Sequence, residues 1–135
     1  MGEFRVVRYK GTTNILEMIE RGEYVEAFIH AQLGVEKILW DKIVEIFEDE
    51  KAMEVRKAIE ESERKKGDRS NTTTYELIKW ATFLGAIDVD ESSDLRDFNS
   101  KRNKIIHGHG EWWHFKKKYR QALQKAIRFL EKNSL

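Results

Sequence analysis

Arg102, Asn103 and His107 are residues whose types and spacing suit phosphate chemistry, and they stand in the run Lys101-Arg102-Asn103-Lys104-Ile105-Ile106-His107-Gly108. Arginine offers a planar, permanently charged fork for phosphate oxygens. Histidine titrates near neutral pH and can give or take a proton. Asparagine can orient a hydroxyl or hold an imidazole in one tautomer. On a helix Asn103 and His107, four residues apart, share a face, and Asn99 lies one turn earlier on the same stripe. Arg102 starts about 100° around the helix from Asn103, yet its long side chain can swing toward the same place. Ile105 and Ile106 point elsewhere and anchor the helix. A purely structural alternative has His107 satisfying the last carbonyls of that helix, with solvated cations around it.

Charge surrounds this run unevenly. The formal net charge is only +1, but residues 1–95 carry 14 Lys and Arg against 21 Asp and Glu. Residues 96–128 reverse the balance, with ten basic residues against Asp97 and Glu111. Such asymmetry suits a polyanionic partner or an acidic–basic match between subunits. Lys101, Lys104 and the run Lys116, Lys117 and Lys118 are the candidate backbone-binding cations. Trp112, Trp113, Phe115 and Tyr119 beside them could stack bases, though aromatics at helical spacing usually pack into a core.

Other chemistries fare worse. The chain has no cysteine, which excludes disulfides, thiolate metal sites and a cysteine nucleophile. His107, His109 and His114, with Glu111 between them, are suitable metal-ligand types. No H-E-x-x-H spacing supports them, and no metal or cofactor is expected. His30 reads as a satisfied, partly buried histidine. P-loop, GxGxxG and GxSxG motifs are missing, against nucleotide hydrolysis, dinucleotide binding and serine hydrolysis.

The elements that must position these residues are helical. At 135 residues the chain reads as one domain over 1–135, with its core at about 12–130. Thr12 or Thr13 can cap a short helix through Ile19, and Gly22 offers a break. Apolar residues from Val25 to Ile46 recur at three- and four-residue steps and predict a long amphipathic helix from Tyr24 to about Phe47. Lys51 to about Glu63 continues as a charged helix, followed by a loop at 65–71. Thr73 and Glu76 have capping-box spacing ahead of Leu77 and Ile78. Ser92 or Ser93 is expected to cap the next helix, with Asp94 and Asp97 in its first turn, ending near Gly108. A last helix runs from Trp112 to Leu130, and only residues 4–9 have strand character. The fold class is therefore all-α, an up-and-down bundle of four main helices plus short ones. The longest stretch free of charged residues is the nine from Ala27 to Val35, far short of the roughly 18 a membrane helix needs. The first residues lack the apolar region of a signal peptide, so a soluble cytoplasmic protein without membrane association is expected.

An arginine, a polar residue directly after it and a histidine beyond four intervening residues resemble the R-x4-6-H signature of the HEPN superfamily, in its "RN…HG" form. The long helix with Tyr24, Ala27, Phe28, Ala31 and Glu36 is similar to that family's second helix. The resemblance spans roughly residues 12–130 and implies a helical bundle that dimerises so that two motifs meet in one cleft. It further implies a metal-independent endoribonuclease, of the kind found among toxins of toxin–antitoxin pairs and antiviral defence effectors. Arg102, Asn103 and His107 would then be catalytic, RNA the substrate, and an antitoxin or nucleotidyltransferase a further partner. Some members use an additional acidic residue; Glu36 qualifies by its place on the long helix alone and otherwise reads as a surface glutamate. The alternative is a non-catalytic HEPN-like module that binds RNA, a nucleotide or protein.

Overall fold

The computed structural model describes residues 11–47, 49–65, 73–107 and 117–133. They form six helices: α1 (Thr12–Glu20), α2 (Tyr24–Glu45), α3 (Asp49–Lys65), α4 (Thr74–Phe83), α5 (Val89–Ile106) and α6 (Lys117–Lys132). No strand occurs among the described residues. None of the helices is long and apolar enough to cross a membrane. Lys65, expected to begin the loop at 65–71, is instead the last residue of α3; the rest of that loop, the turn at 108–110, Trp112, Trp113, Phe115 and the strand-like residues 4–9 lie outside the described residues.

Tertiary packing follows the apolar stripes. The 22-residue α2 is the central element and packs against α1, α4, α5 and α6, while α5 and α6 pack on each other. Its buried positions Ala27, Phe28, Ala31, Gly34, Val35, Ile38 and Leu39 cover more than one stripe, as a helix with several neighbours requires. Phe28 and Phe98 of α5, both fully buried, stack with ring centroids 5.5 Å apart and planes within 1°. Leu77, Ile78 and Ala81 bring α4 into the same core, and Tyr119, Leu123, Ala126 and Leu130 bring α6. Helix length is a poor guide to centrality. The ten-residue α4 is built into the core, whereas the longer α3 packs chiefly on α2, through Ile59 and with Arg56 over the Trp40 ring at 4.6 Å.

Two of the expected helix starts are corrected. Gly11, at φ +102°, occupies the N-cap of α1, and neither Thr12 nor Thr13 caps it by a side chain. The start of α5 is Asp88, not Ser92 or Ser93: the Asp88 carboxylate accepts from the Glu91 backbone N–H at 2.8 Å, and Glu91 accepts from the Asp88 N–H at 3.0 Å. That reciprocal box places Asp90 and Glu91 in the positive first turn. Ser92 is instead buried against α4, its hydroxyl hydrogen-bonded to that of Thr82 at 2.9 Å. Thr73 caps α4 as its spacing predicts, accepting from the Glu76 N–H at 3.2 Å. Gly22 and Gly85, with φ near +75°, close α1 and α4 in the left-handed conformation that only glycine adopts cheaply.

The box makes a sharp prediction. Asp88→Ala should cost about 1 kcal/mol of stability, seen in urea melts, whereas Ser93→Ala, at an exposed position, should stay within about 0.5 kcal/mol.

Candidate functional site

The site lies on the C-terminal half of α5, where two stripes of that helix diverge. Phe98 and Arg102 fall on one stripe, and Asn99, Asn103 and His107 on its neighbour. The buried Phe28–Phe98 stack sets the register of α2 on α5. One and two turns beyond Phe28, the same stripe of α2 carries Gln32 and Glu36.

Arg102 and Asn103 are brought together. Both are half-buried, and Arg102 Nη1 donates to Asn103 Oδ1 at 3.0 Å. With its oxygen so engaged, the Asn103 amide presents its NH2 group as a donor. Burial lowers the Arg102 pKa from its ordinary value, and the charge of Glu36 opposes that effect. Arginine's intrinsic basicity keeps the guanidinium cationic throughout. Arg102 Nε is buried and has no hydrogen-bond partner among the described residues.

His107 is the C-cap of α5, where its backbone N–H donates to the Asn103 carbonyl at 3.0 Å, and its side chain is exposed. It therefore follows Asn103 by one turn at the solvent-facing end of the stripe. Asn99, one turn earlier, is 8 % exposed. The stripe thus runs from a buried amide, through a half-buried amide paired to a guanidinium, to an exposed imidazole. Such an arrangement can hold an anion against Arg102 and Asn103 with an acid–base group at its open end.

The candidate lysines divide. Lys101 Nζ contacts Asp97 at 2.7 Å, and Lys125 of α6 reaches the other oxygen of the same carboxylate at 3.1 Å. Lys101 is thereby engaged within α5 instead of standing open to solvent, and Lys125 ties α6 to the same carboxylate. Lys104 is exposed beside the site. Lys117 and Lys118 are exposed on the first turn of α6, Lys118 Nζ lying 5.4 Å from the Tyr119 ring centroid. Lys116 and the histidine group His109, Glu111 and His114 lie outside the described residues. Of the aromatics beside these lysines, Tyr119 is buried in the core.

Three residues of α2 and α4 gain their meaning only from the fold. Thr74, the first residue of α4 and 3 % exposed, donates its hydroxyl hydrogen to Glu36 Oε2 and accepts from Gln32 Nε2 at 2.7 Å. Gln32 Nε2 also lies 3.3 Å from the same Glu36 oxygen. Glu36, which reads as a surface glutamate in the sequence, is thus a partly buried acceptor near the N-terminus of α4. Nothing in the local pattern of Gln32 or Thr74 announces this, because the partners are 42 residues apart. His30, expected to be satisfied, has a buried Nδ1 with no hydrogen-bond partner among the described residues.

Elsewhere, a cavity of about 290 Å³ lies between the start of α5 and the end of α6. Acidic and basic side chains line it together, and Lys132 pairs with Glu91 across it at 3.2 Å. No family model, curated protein or solved structure matches this chain.

The Asp97 clamp has a pH signature. Burial works to raise the Asp97 pKa, but hydrogen bonds from Lys101 and Lys125, with their charges, outweigh it and leave the group below its ordinary value. A lowered carboxyl pKa contributes stability above the unfolded value of about 3.9 and loses it as pH falls through the folded value. In urea titrations the advantage of wild type over Asp97→Asn should therefore be full at pH 6 and shrink at pH 3.

Proposed function

We propose that this protein is a HEPN-like, metal-independent endoribonuclease acting as a homodimer. The observation that carries the reading is the Arg102–Asn103 pair, joined at 3.0 Å one turn before an exposed His107, within a run that resembles the R-x4-6-H signature. An all-helical bundle and a basic α6 start are in keeping with it.

In this reading the RNA's own 2′-hydroxyl attacks the adjacent phosphorus while the bond to the 5′-oxygen breaks. His107 serves as the acid–base group, taking the 2′-hydroxyl proton or delivering one to the departing 5′-oxygen, a role worth about 10²–10⁴ in rate. Arg102 stabilises charge gathering on the non-bridging oxygens. Asn103, its oxygen occupied by Arg102, donates from its amide to the phosphate. The products carry a 2′,3′-cyclic phosphate and a 5′-hydroxyl. Because the nucleophile belongs to the substrate, the reaction calls on no metal or cofactor.

Lys104, Lys117 and Lys118 contribute salt-sensitive affinity for the backbone, and bases are read in single-stranded or loop regions. Lys101 contributes less, because it is already paired with Asp97. A toxin or defence role, with an antitoxin or nucleotidyltransferase covering the basic edge, extends the same reading.

The test is cleavage of a mixed single-stranded and structured RNA in EDTA, with light scattering on each protein. Wild type should cut and leave cyclic-phosphate ends. His107→Ala should lose at least about 100-fold in rate while remaining dimeric. Loss of the dimer in His107→Ala would point instead to a non-catalytic interface module, and abolition of cutting by EDTA would sink the metal-independent mechanism.

A further inference from the structure

Thr74, Ser92 and Asn99 are the buried polar side chains among the described residues. Thr74 is hydrogen-bonded to Gln32 and Glu36, and Ser92 to Thr82. Asn99, at 8 % exposure, makes no side-chain hydrogen bond among the described residues. Asn133 at the end of α6 spends its amide on the Phe129 carbonyl four residues back, at 2.8 Å; Asn99 makes no such bond to its own helix. A buried amide left unpaired costs stability, and native structures carry few such groups. Neither amide atom of Asn99 is sealed from solvent, so the narrow opening that reaches this residue meets its polar head.

The surroundings of that opening are set by α5 itself. Arg102 lies three residues and Asn103 four residues beyond Asn99 on one unbroken helix, so both are its neighbours one turn on. Helical side chains lean toward the N-terminus, which inclines both back over the turn that carries Asn99. Each retains a donor. The Asn103 oxygen accepts from Arg102 and leaves its NH2 free of that bond, while the buried Arg102 Nε–H has no partner among the described residues. Arg102 Nε and the Asn99 amide stand one turn apart and do not satisfy each other.

Unspent donors on three residues of adjacent turns, one of them cationic, suit an anion with several acceptor oxygens. A protein surface does not reach an amide that is nine-tenths buried, whereas a single phosphate oxygen projecting from a nucleic-acid backbone does. We propose that Asn99 is a phosphate-binding residue, its NH2 donating to a non-bridging oxygen of an RNA backbone phosphate held by Arg102 and Asn103. The inference rests on the proposed phosphate site at Arg102 and adds to it a contact from outside the R-x4-6-H run. It accounts for an amide at a buried position of α5: the group costs stability alone and contributes affinity once a ligand oxygen completes it.

The test titrates the full chain with a 2′-O-methylated dinucleoside phosphate, a diester that its own hydroxyl cannot cleave, and separately with inorganic phosphate. Proton–nitrogen NMR follows the side-chain signals. With the diester, the Asn99 NH2 and Arg102 Nε–H signals should move along one binding curve. Asn99→Leu and Asn99→Asp should each weaken diester binding by about tenfold or more, the loss of a hydrogen bond to a charged group. Asn99→Asp keeps the shape of asparagine, so a loss there does not come from packing, and its carboxylate adds repulsion toward the phosphate. Backbone amide spectra establish which variants are folded, and either folded variant carries the comparison.

An Asn99 signal that stays put while Arg102 moves, unchanged affinity in a folded variant, or no diester binding by wild type would overturn the assignment. A response to inorganic phosphate alone would overturn the RNA backbone as the source of the anion. Cleavage is a separate readout. Diester binding through Asn99 by a wild type that cuts no RNA would count against the ribonuclease and leave the phosphate site in place.

Discussion

The stack of Phe28 on Phe98 is the contact on which the arrangement of the site depends. Two fully buried rings at 5.5 Å and 1° leave α2 and α5 little freedom to slide or roll. Aromatic pairs of this kind contribute about 0.5–1.5 kcal/mol beyond their buried area, but their larger effect here is on register. Helical periodicity then carries the Phe28 stripe on through Gln32 and Glu36 in α2, and the Phe98 stripe on to Arg102 in α5. The chemistry of the region therefore inherits its geometry from an apolar contact that takes no part in it.

The second constraint is the cost of removing a guanidinium from water. Burial lowers the pKa of Arg102, and the charge of Glu36 counters it. Glu36 is in turn held by Thr74 and Gln32 rather than by the cation itself. Asn103 occupies one edge of the fork. Each group in this chain satisfies part of its neighbour's demand, and the buried Nε is where that satisfaction stops.

Charge elsewhere is sorted into two uses. Asp97 gathers Lys101 and Lys125 and so fastens α5 to α6. Lys117 and Lys118 of α6, in contrast, sit exposed. The basic surplus of the final third is thus partly consumed by the fold and partly left available to a polyanion. A count of charges along the chain does not separate the two.

Helices, most of their limits and the position of the Arg102–His107 run were legible in the sequence, because each rests on interactions within a few residues. The three- and four-residue spacing of apolar side chains marks α2. Thr73 ahead of Glu76 marks the start of α4, and Gly22 marks a stop that needs positive φ. Where two local solutions compete, sequence was insufficient. Asp88 with Glu91 and the serines at 92 and 93 are all competent caps, and the choice fell to Asp88 because Ser92 is buried against Thr82 of α4. Only the tertiary structure decided that the ten-residue α4 belongs in the core and that Lys125 of α6 shares the Asp97 carboxylate with Lys101. It also decided that Gln32, Glu36 and Thr74 meet. Those contacts join residues up to 42 positions apart, and their partners are chosen by how apolar faces close on one another, which no local spacing records.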